Sequence, residues 1–415
     1  MKRLQLIGIC ILLLFMLPGC GFIEFPILSN ENSSLHQSSG TVVESPPPSE
    51  WDGQSLYPND SDEMRAVWIT QFELNPIRSP SESSFRSSFA DMMKNCADFG
   101  LNTVFVQVRP NGDSFYPSLI YPWSVYVNGA AGEGVSYDPL AIMVEQAHRY
   151  HLKIHAWINP YRLQPENHMK SISDTYQTRK WYDLSSSSDR VVTLSGICYL
   201  NPGYAEAREL IVEGVKEIVS NYQVDGIHID DYFYPTTEQS FDKKAYAING
   251  KGKSLDEFRF DNVNQTIQGI YTAIKELKPD VVFGVSPAGN MANNTTKLYA
   301  DTKKWTANTG YLDYIIPQIY WNYEHPSLPF GATLTEWNAS ITVSDIKIVS
   351  GLAPYKIDRG EWDNCGAILA KMVTDSRKQS HYGGVAFYNY SALFSSKSSV
   401  MQTEKENLLK LFGKT

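Results

Sequence analysis

The feature that most constrains the fold of this chain is an alternation repeated eight times from Met64 onward, in which a short, largely apolar run is followed by a longer amphipathic segment. Such alternation implies parallel strands linked by crossover helices. Strands are expected at 65–70, 103–109, 153–159, 226–231, 281–286, 314–320, 346–352 and 384–388, most of them apolar throughout, as strands covered on both faces are. Between them Phe85, Phe89, Met92, Cys96 and Phe99 recur at helical steps, as do Leu210, Ile211, Val215, Ile218 and Val219. Further helices are expected near 255–277, 333–341, 364–377 and 403–412. An open doubly wound sheet gives similar alternation but announces a Gly-rich phosphate turn after its first strand, and Thr70-Gln71-Phe72-Glu73 is nothing of the kind. Eight units point to an α/β fold closed as a (β/α)8 TIM barrel with long βα loops, spanning 63–415.

The residues ahead of the barrel carry different signals. Lys2 and Arg3 precede an apolar run from Leu4 to Leu17 that is too short for a comfortable membrane span, so 1–20 reads as a secretory signal. Leu17-Pro18-Gly19-Cys20 resembles the box at which bacterial signal removal exposes a lipid-carrying cysteine, which makes Cys20 the expected lipidation site; ordinary cleavage nearby, releasing a soluble protein, is the alternative. The expected location is a bacterial membrane, held through the N-terminal lipid and facing away from the cytoplasm. Residues 21–62, rich in Ser, Pro, Asn and Glu, lack a sustained apolar period and read as a tether. Cys96, Cys198 and Cys365 are widely spaced with no CxxC pair, so neither a disulfide framework nor a zinc site is indicated. A chain of 415 residues with 42% hydrophobic content can bury a full core, and a formal charge of -9 does not suit a nucleic-acid partner.

Chemistry concentrates where Val224-Asp225-Gly226-Ile227-His228-Ile229 ends in Asp230-Asp231-Tyr232-Phe233-Tyr234-Pro235, a strand running into two adjacent carboxylates beside aromatic rings. The C-terminal ends of barrel strands form the active face, and carboxylates flanked by rings are what cleavage of a glycosidic bond requires. Side-chain alternation sets His228, Asp230 and Tyr232 on one face and Ile227, Ile229 and Asp231 on the other. Apolar Ile227 and Ile229 should meet the helices, which sends Asp230 into the pocket with His228 below it. Asp231, where the strand breaks, either turns into the site or caps the next segment. Glycoside hydrolysis normally uses two acidic groups, and Glu324 is the leading distant partner, with Asp113 and Glu361 behind it.

Other polar residues gather at the same rim: Gln107 and Arg109, Asn159 and Arg162, Ser286 and Asn290, Gln318 with Tyr320 and Trp321, and Tyr388 with Asn389. Of these, Gln107, Arg109, Asn159, Arg162, Gln318, Tyr320 and Trp321, together with Trp157, His228 and Tyr232, are the expected substrate-binding set. The connections 110–138 and 160–204 are too long to be linkers and carry Phe115, Tyr116, Tyr121, Trp123, Tyr126, Trp181 and Tyr182, so they are expected to wall a groove in which rings stack on sugars or to pack the loops together. His155 and His228 lack metal-ligand spacing, and no GxSxG, HExxH or Walker pattern occurs. No cofactor or metal is expected.

Met64-Arg65-Ala66-Val67-Trp68-Ile69, Val106-Gln107-Val108-Arg109-Pro110, His155-Ala156-Trp157-Ile158-Asn159-Pro160-Tyr161-Arg162, Asp225-Gly226-Ile227-His228-Ile229-Asp230-Asp231-Tyr232, Gly284-Val285-Ser286-Pro287 and Pro317-Gln318-Ile319-Tyr320-Trp321 together resemble the glycosyl-hydrolase-like lipoprotein family of the YngK/DigH type. The resemblance covers about 64–412. It implies a TIM-barrel domain, a bacterial envelope location and action on glycan strands, including peptidoglycan stripped of its peptides. Asp225 to Asp230 also looks like the DGxDxDxE strand of chitinases, except that His228 replaces one acid and Tyr232 stands where the catalytic Glu belongs. That departure leaves Asp230 or Asp231 as the acid, with an N-acetyl group of the substrate available as internal nucleophile. A glycan-binding lipoprotein that does not cut is the alternative.

Overall fold

The computed structural model describes residues 62–362 and 366–414. The expected signal, Cys20, the tether as far as Ser61, and Cys365 lie outside the described residues, as does the Glu361 side chain.

Among the described residues eleven strands follow in chain order: β1 (Met64–Ile69), β2 (Thr103–Arg109), β3 (Lys153–Ile158), β4 (Arg162–Pro165), β5 (Val191–Leu194), β6 (Ile197–Leu200), β7 (Gly226–Ile229), β8 (Val282–Val285), β9 (Tyr314–Ile315), β10 (Lys347–Leu352) and β11 (Tyr382–Phe387). Eight of them close a barrel in the order β1-β2-β3-β7-β8-β9-β10-β11, with β11 pairing back onto β1 and every pair parallel. The expected strand at 314–320 keeps only its first two residues as ladder. Pro317 has no N–H to contribute, and Gln318 rejoins the sheet as an isolated bridge to Ala288 and Gly351.

Crossover helices ring the barrel because each has one apolar stripe and a defined start. Helix Glu82–Asp98 begins under the Ser81 side chain and buries Phe85, Phe89, Met92, Met93 and Cys96. Helix Leu255–Leu277 starts with a capping box in which Ser254 and Glu257 each accept from the other's backbone N–H. Ile227 and Ile229 join the large cluster between strands and helices.

The lumen is filled separately, by Ala66, Trp68, Phe105, Trp157, Tyr314, Ile316, Val349 and Ala386. Two buried histidines lie among these rings, with Phe105 stacked on His228 at 4.3 Å between centroids. Glycine makes room for them: a Cβ on Gly284 would stand 1.9 Å from the Tyr314 ring, and one on Gly226 would stand 2.6 Å from His155 Nδ1. Small residues on some strands thus admit large rings from others, which is how a barrel core reaches crystal-like density.

The connection after β3 contains an element the strand pattern did not announce. β4, β6 and β5 form an antiparallel sheet in that order, and β5 turns into β6 through Ser195 and Gly196, both with positive φ. A two-residue turn of that kind fits the right-handed twist of a hairpin. Its trace in the sequence is Val191-Val192-Thr193-Leu194, then Ser-Gly, then Ile197-Cys198-Tyr199-Leu200.

Candidate active site

A chain of directed hydrogen bonds crosses the rim formed by β1, β2, β3 and β7 and ends on Asp230. The backbone N–H of Gln71 donates to Gln107 Oε1 (3.2 Å), and Gln107 Nε2 donates to Asn159 Oδ1 (2.7 Å). Asn159 Nδ2 then donates to both oxygens of Asp230, at 2.7 and 2.6 Å. Because Gln71 contributes only an N–H, the orientation of each amide along the chain is set, and the Asn159 amino group must face the carboxylate. Trp157 Nε1 adds a bond to Oδ2 (3.1 Å), and the Tyr232 N–H one to Oδ1 (3.2 Å). Asp230 is 3% exposed.

Burial pushes the Asp230 carboxyl up to about 7; the adjacent Asp231 adds to the rise, while the N–H donors of Tyr232, Asn159 and Trp157 oppose it. Burial raises Asp231 as well, against a hydrogen bond from Gln318 Nε2 at 3.3 Å. The two carboxyls therefore titrate together, both above the usual carboxylate range. Asp231 is the more exposed of the two, and it has one side-chain donor where Asp230 has three N–H groups. Gln318 also donates to the Ser286 carbonyl, and the buried Ser286 hydroxyl has no partner.

Below the pair lies a neutral column. Trp68 Nε1 can only donate, so His228 Nε2 (3.0 Å away) carries a lone pair and the His228 proton sits on Nδ1, which donates to Tyr314 Oη at 3.2 Å. The Tyr314 hydroxyl then donates to His155 Nδ1 (2.8 Å). Burial holds His228 well below the usual imidazole range and takes His155 down to about 4. These rings support the site from beneath; His228, expected to touch substrate, is fully buried and does not.

Other expected residues divide. Gln107 and Trp157 act on Asp230 from buried positions, and Asn159 and Gln318 hold the two aspartates. Tyr320 packs at the rim with Tyr355 and Tyr388, and Tyr388 meets Trp68 edge-on. Tyr232 is 38% exposed with the Arg162 guanidinium 5.1 Å from its ring. Trp321 packs against the outer core and His325 instead of facing the aspartates.

Arg109 requires a correction. The ladder between β2 and β3 shifts after Gln107, so Arg109 pairs with outward-facing Ile158 and its guanidinium lies on Tyr121 against the helix Ala205–Asn221. One bulge residue reverses the face that strict alternation assigns. Glu324 requires another: Asn322 Oδ1 accepts from its backbone N–H and turns the chain, leaving the Glu324 side chain exposed with no hydrogen bond or ion pair among the described residues. Asp113, by contrast, is buried, accepts from the Asn111 N–H (2.8 Å), and is pushed by burial up to about 6. Of the loop rings, Phe115, Tyr116, Tyr121 and Trp181 are buried in the loops themselves. Phe72, absent from the expected set, is 53% exposed beside Tyr126 next to the Gln71 amide. A large cavity, about 910 Å³, lies at the opposite end of the barrel between Glu63, Lys153, Asp225, Asp313 and Lys347, far along the strands from the aspartates.

A closed eight-stranded barrel that presents a hydrogen-bonded aspartate pair at its C-terminal rim belongs to the class of TIM-barrel proteins whose chemistry sits on the βα-loop face. The fold is shared at low identity with the PgaB (BpsB) glycoside hydrolase domain from Bordetella bronchiseptica (TM-score 0.51, 11% identity, covering 83% of this chain and 99% of that one). It is shared likewise with the catalytic domain of β-amylase from Paenibacillus polymyxa (TM-score 0.51, 12% identity, 84% and 98%). Within this class the chain belongs to the family described as Glycosyl hydrolase-like 10, whose model matches residues 63–364. It is 37% identical over 323 residues to the glycosyl hydrolase YngK of Bacillus subtilis (strain 168), a match covering 71% of this chain and 61% of YngK, less than two thirds of that protein. It is 33% identical over 336 residues to the glycosyl hydrolase DigH of Escherichia coli (strain K12), covering 72% and 74%.

Proposed function

We propose that this protein is a glycoside hydrolase that cleaves a bacterial cell-wall or related amino-sugar polysaccharide, exported and lipid-anchored through Cys20. The observation that carries the reading is the Asp230-Asp231 pair: two carboxyls at the barrel rim, raised by burial and differently held. In this reading Asp230, whose carboxyl burial and the neighbouring Asp231 hold up at about 7, gives its proton to the leaving oxygen as the C1–O bond breaks. Asp231, nearer the opening and held by Gln318, keeps its negative charge and stabilises the positive charge that develops on the sugar, or on an acetamido group attacking C1 from within the substrate. Water then completes the reaction at C1. The names of YngK and DigH as glycosyl hydrolases support the reaction class.

The competing reading is a lipoprotein that holds glycan without cutting it, and the exposed Glu324 side chain, with no hydrogen bond or ion pair among the described residues, keeps it in play. Incubating the protein with peptide-free glycan strands, chitin oligomers and plant polysaccharides, with products read by mass spectrometry, separates the two. The hydrolase reading expects shortened chains from the wild type and none from Asp230→Asn, which should still bind. Intact chains from the wild type on every glycan would leave only the binding role.

A further inference from the structure

We propose that Arg162 and Tyr232 form a subsite for a carboxylate on the sugar next to the scissile bond, so that the substrate is an acidic glycan. The inference rests on the glycoside hydrolase reading above. Arg162 opens β4 three residues after Asn159, and its guanidinium stands 5.1 Å from the Tyr232 ring centroid, while the Tyr232 N–H bonds to Asp230. A cation is thereby held within one residue of the aspartate pair.

Five other arginine heads in the fold are neutralised. Arg86, Arg179, Arg190, Arg259 and Arg377 all ion-pair with carboxylates at 2.6 to 2.9 Å. The Arg162 side chain forms no hydrogen bond or ion pair with the described residues, and its Nε is buried without a partner. The nearby carboxylate Asp113 is itself buried and bonded to the Asn111 N–H, close enough to feel the Arg162 charge without closing an ion pair. A half-buried guanidinium stacked on a ring and left unpaired is costly unless an anion completes it. Its planar fork matches a carboxylate in two parallel hydrogen bonds, and the 38% exposed ring beneath offers a face to the sugar carrying that group. Two kinds of sugar supply this chemistry: an amino sugar with a lactyl-ether carboxylate, as in peptide-free peptidoglycan, and a uronic acid.

The test is isothermal titration of the full chain with four probes: peptide-free peptidoglycan strands, the same strands with their carboxyls reduced to alcohols, oligouronides, and chitin oligomers. Wild type should prefer native over reduced strands by about 10- to 100-fold, the range of a charge-assisted hydrogen bond, and the preference should fall as salt rises. Arg162→Gln should lose it and Arg162→Lys should keep part of it. Preference confined to native strands identifies the lactyl carboxylate; tight binding of oligouronides identifies the uronate. The proposal is overturned if wild type binds native and reduced strands alike, binds none of the probes, or keeps its preference without Arg162. If Arg162→Gln does not fold by circular dichroism, Arg162→Lys decides: an undiminished preference there rejects the two-bond fork. A wild type that shows the preference but releases no products removes the hydrolase reading and leaves the subsite.

Discussion

Replacing Asp230 by Asn should abolish turnover and yet make the folded protein more stable in alkali, a combination that follows from where the carboxyl sits. An aspartate whose carboxyl is raised on folding binds its proton more tightly in the native state, so the native state loses stability as pH climbs from the unfolded value to the folded one. For Asp230 that climb is from 3.8 to about 7. At roughly 1.4 kcal/mol per pH unit it corresponds to about 4 kcal/mol of destabilisation, fully developed above pH 7 and absent below pH 4. The amide escapes this loss but turns an N–H toward donors, since Asn159 Nδ2 faces both oxygens and Trp157 Nε1 faces one. One or two lost hydrogen bonds cost about 1–3 kcal/mol at every pH. The balance is a variant about 1–3 kcal/mol more stable than wild type at pH 8 and less stable by a similar amount at pH 4. Thermal unfolding of both proteins from pH 4 to pH 8 reads this directly, as a difference in Tm that changes sign. A difference that stays constant with pH, or that moves against the variant as pH rises, would refute the assignment of a raised, buried carboxyl to this position.

Asn159→Ala removes the donors that favour the Asp230 carboxylate, so the alkaline limb of the kcat/KM profile should move to higher pH while stability at pH 8 falls by about 2 kcal/mol. His155 is brought down to about 4 from 6.5, so the folded state resists its protonation and stability should fall by about 3 kcal/mol as pH drops from 6.5 to 4. His155→Gln should flatten that part of the Tm curve. Gly284→Ala puts a methyl 1.9 Å from the Tyr314 ring, with an expected loss of about 3 kcal/mol or more in thermal unfolding; a native Tm would mean the lumen is looser than its contacts indicate.

Much of the architecture is written locally. The eight apolar runs and the stripes between them need only period and propensity, and helix Leu255–Leu277 follows its capping box to the residue. The faces of Ile227, His228, Ile229 and Asp230 follow from the two-residue period of one short, unbroken strand. Three-dimensional pairing decided what period cannot carry. A bulge against β3 turned Arg109 from pocket to helix, and an Asn322 turn carried Glu324 into solvent. Pro317 cut β9 short while two neighbouring strands held Gln318 in register to reach Asp231. The chain of donors from Gln71 through Gln107 and Asn159 to Asp230 joins residues from four separate stretches of sequence, and burial, which raises both aspartates, is a property of everything packed around them. Local interactions choose the elements; register, desolvation and hydrogen-bond partners depend on which elements come to lie side by side.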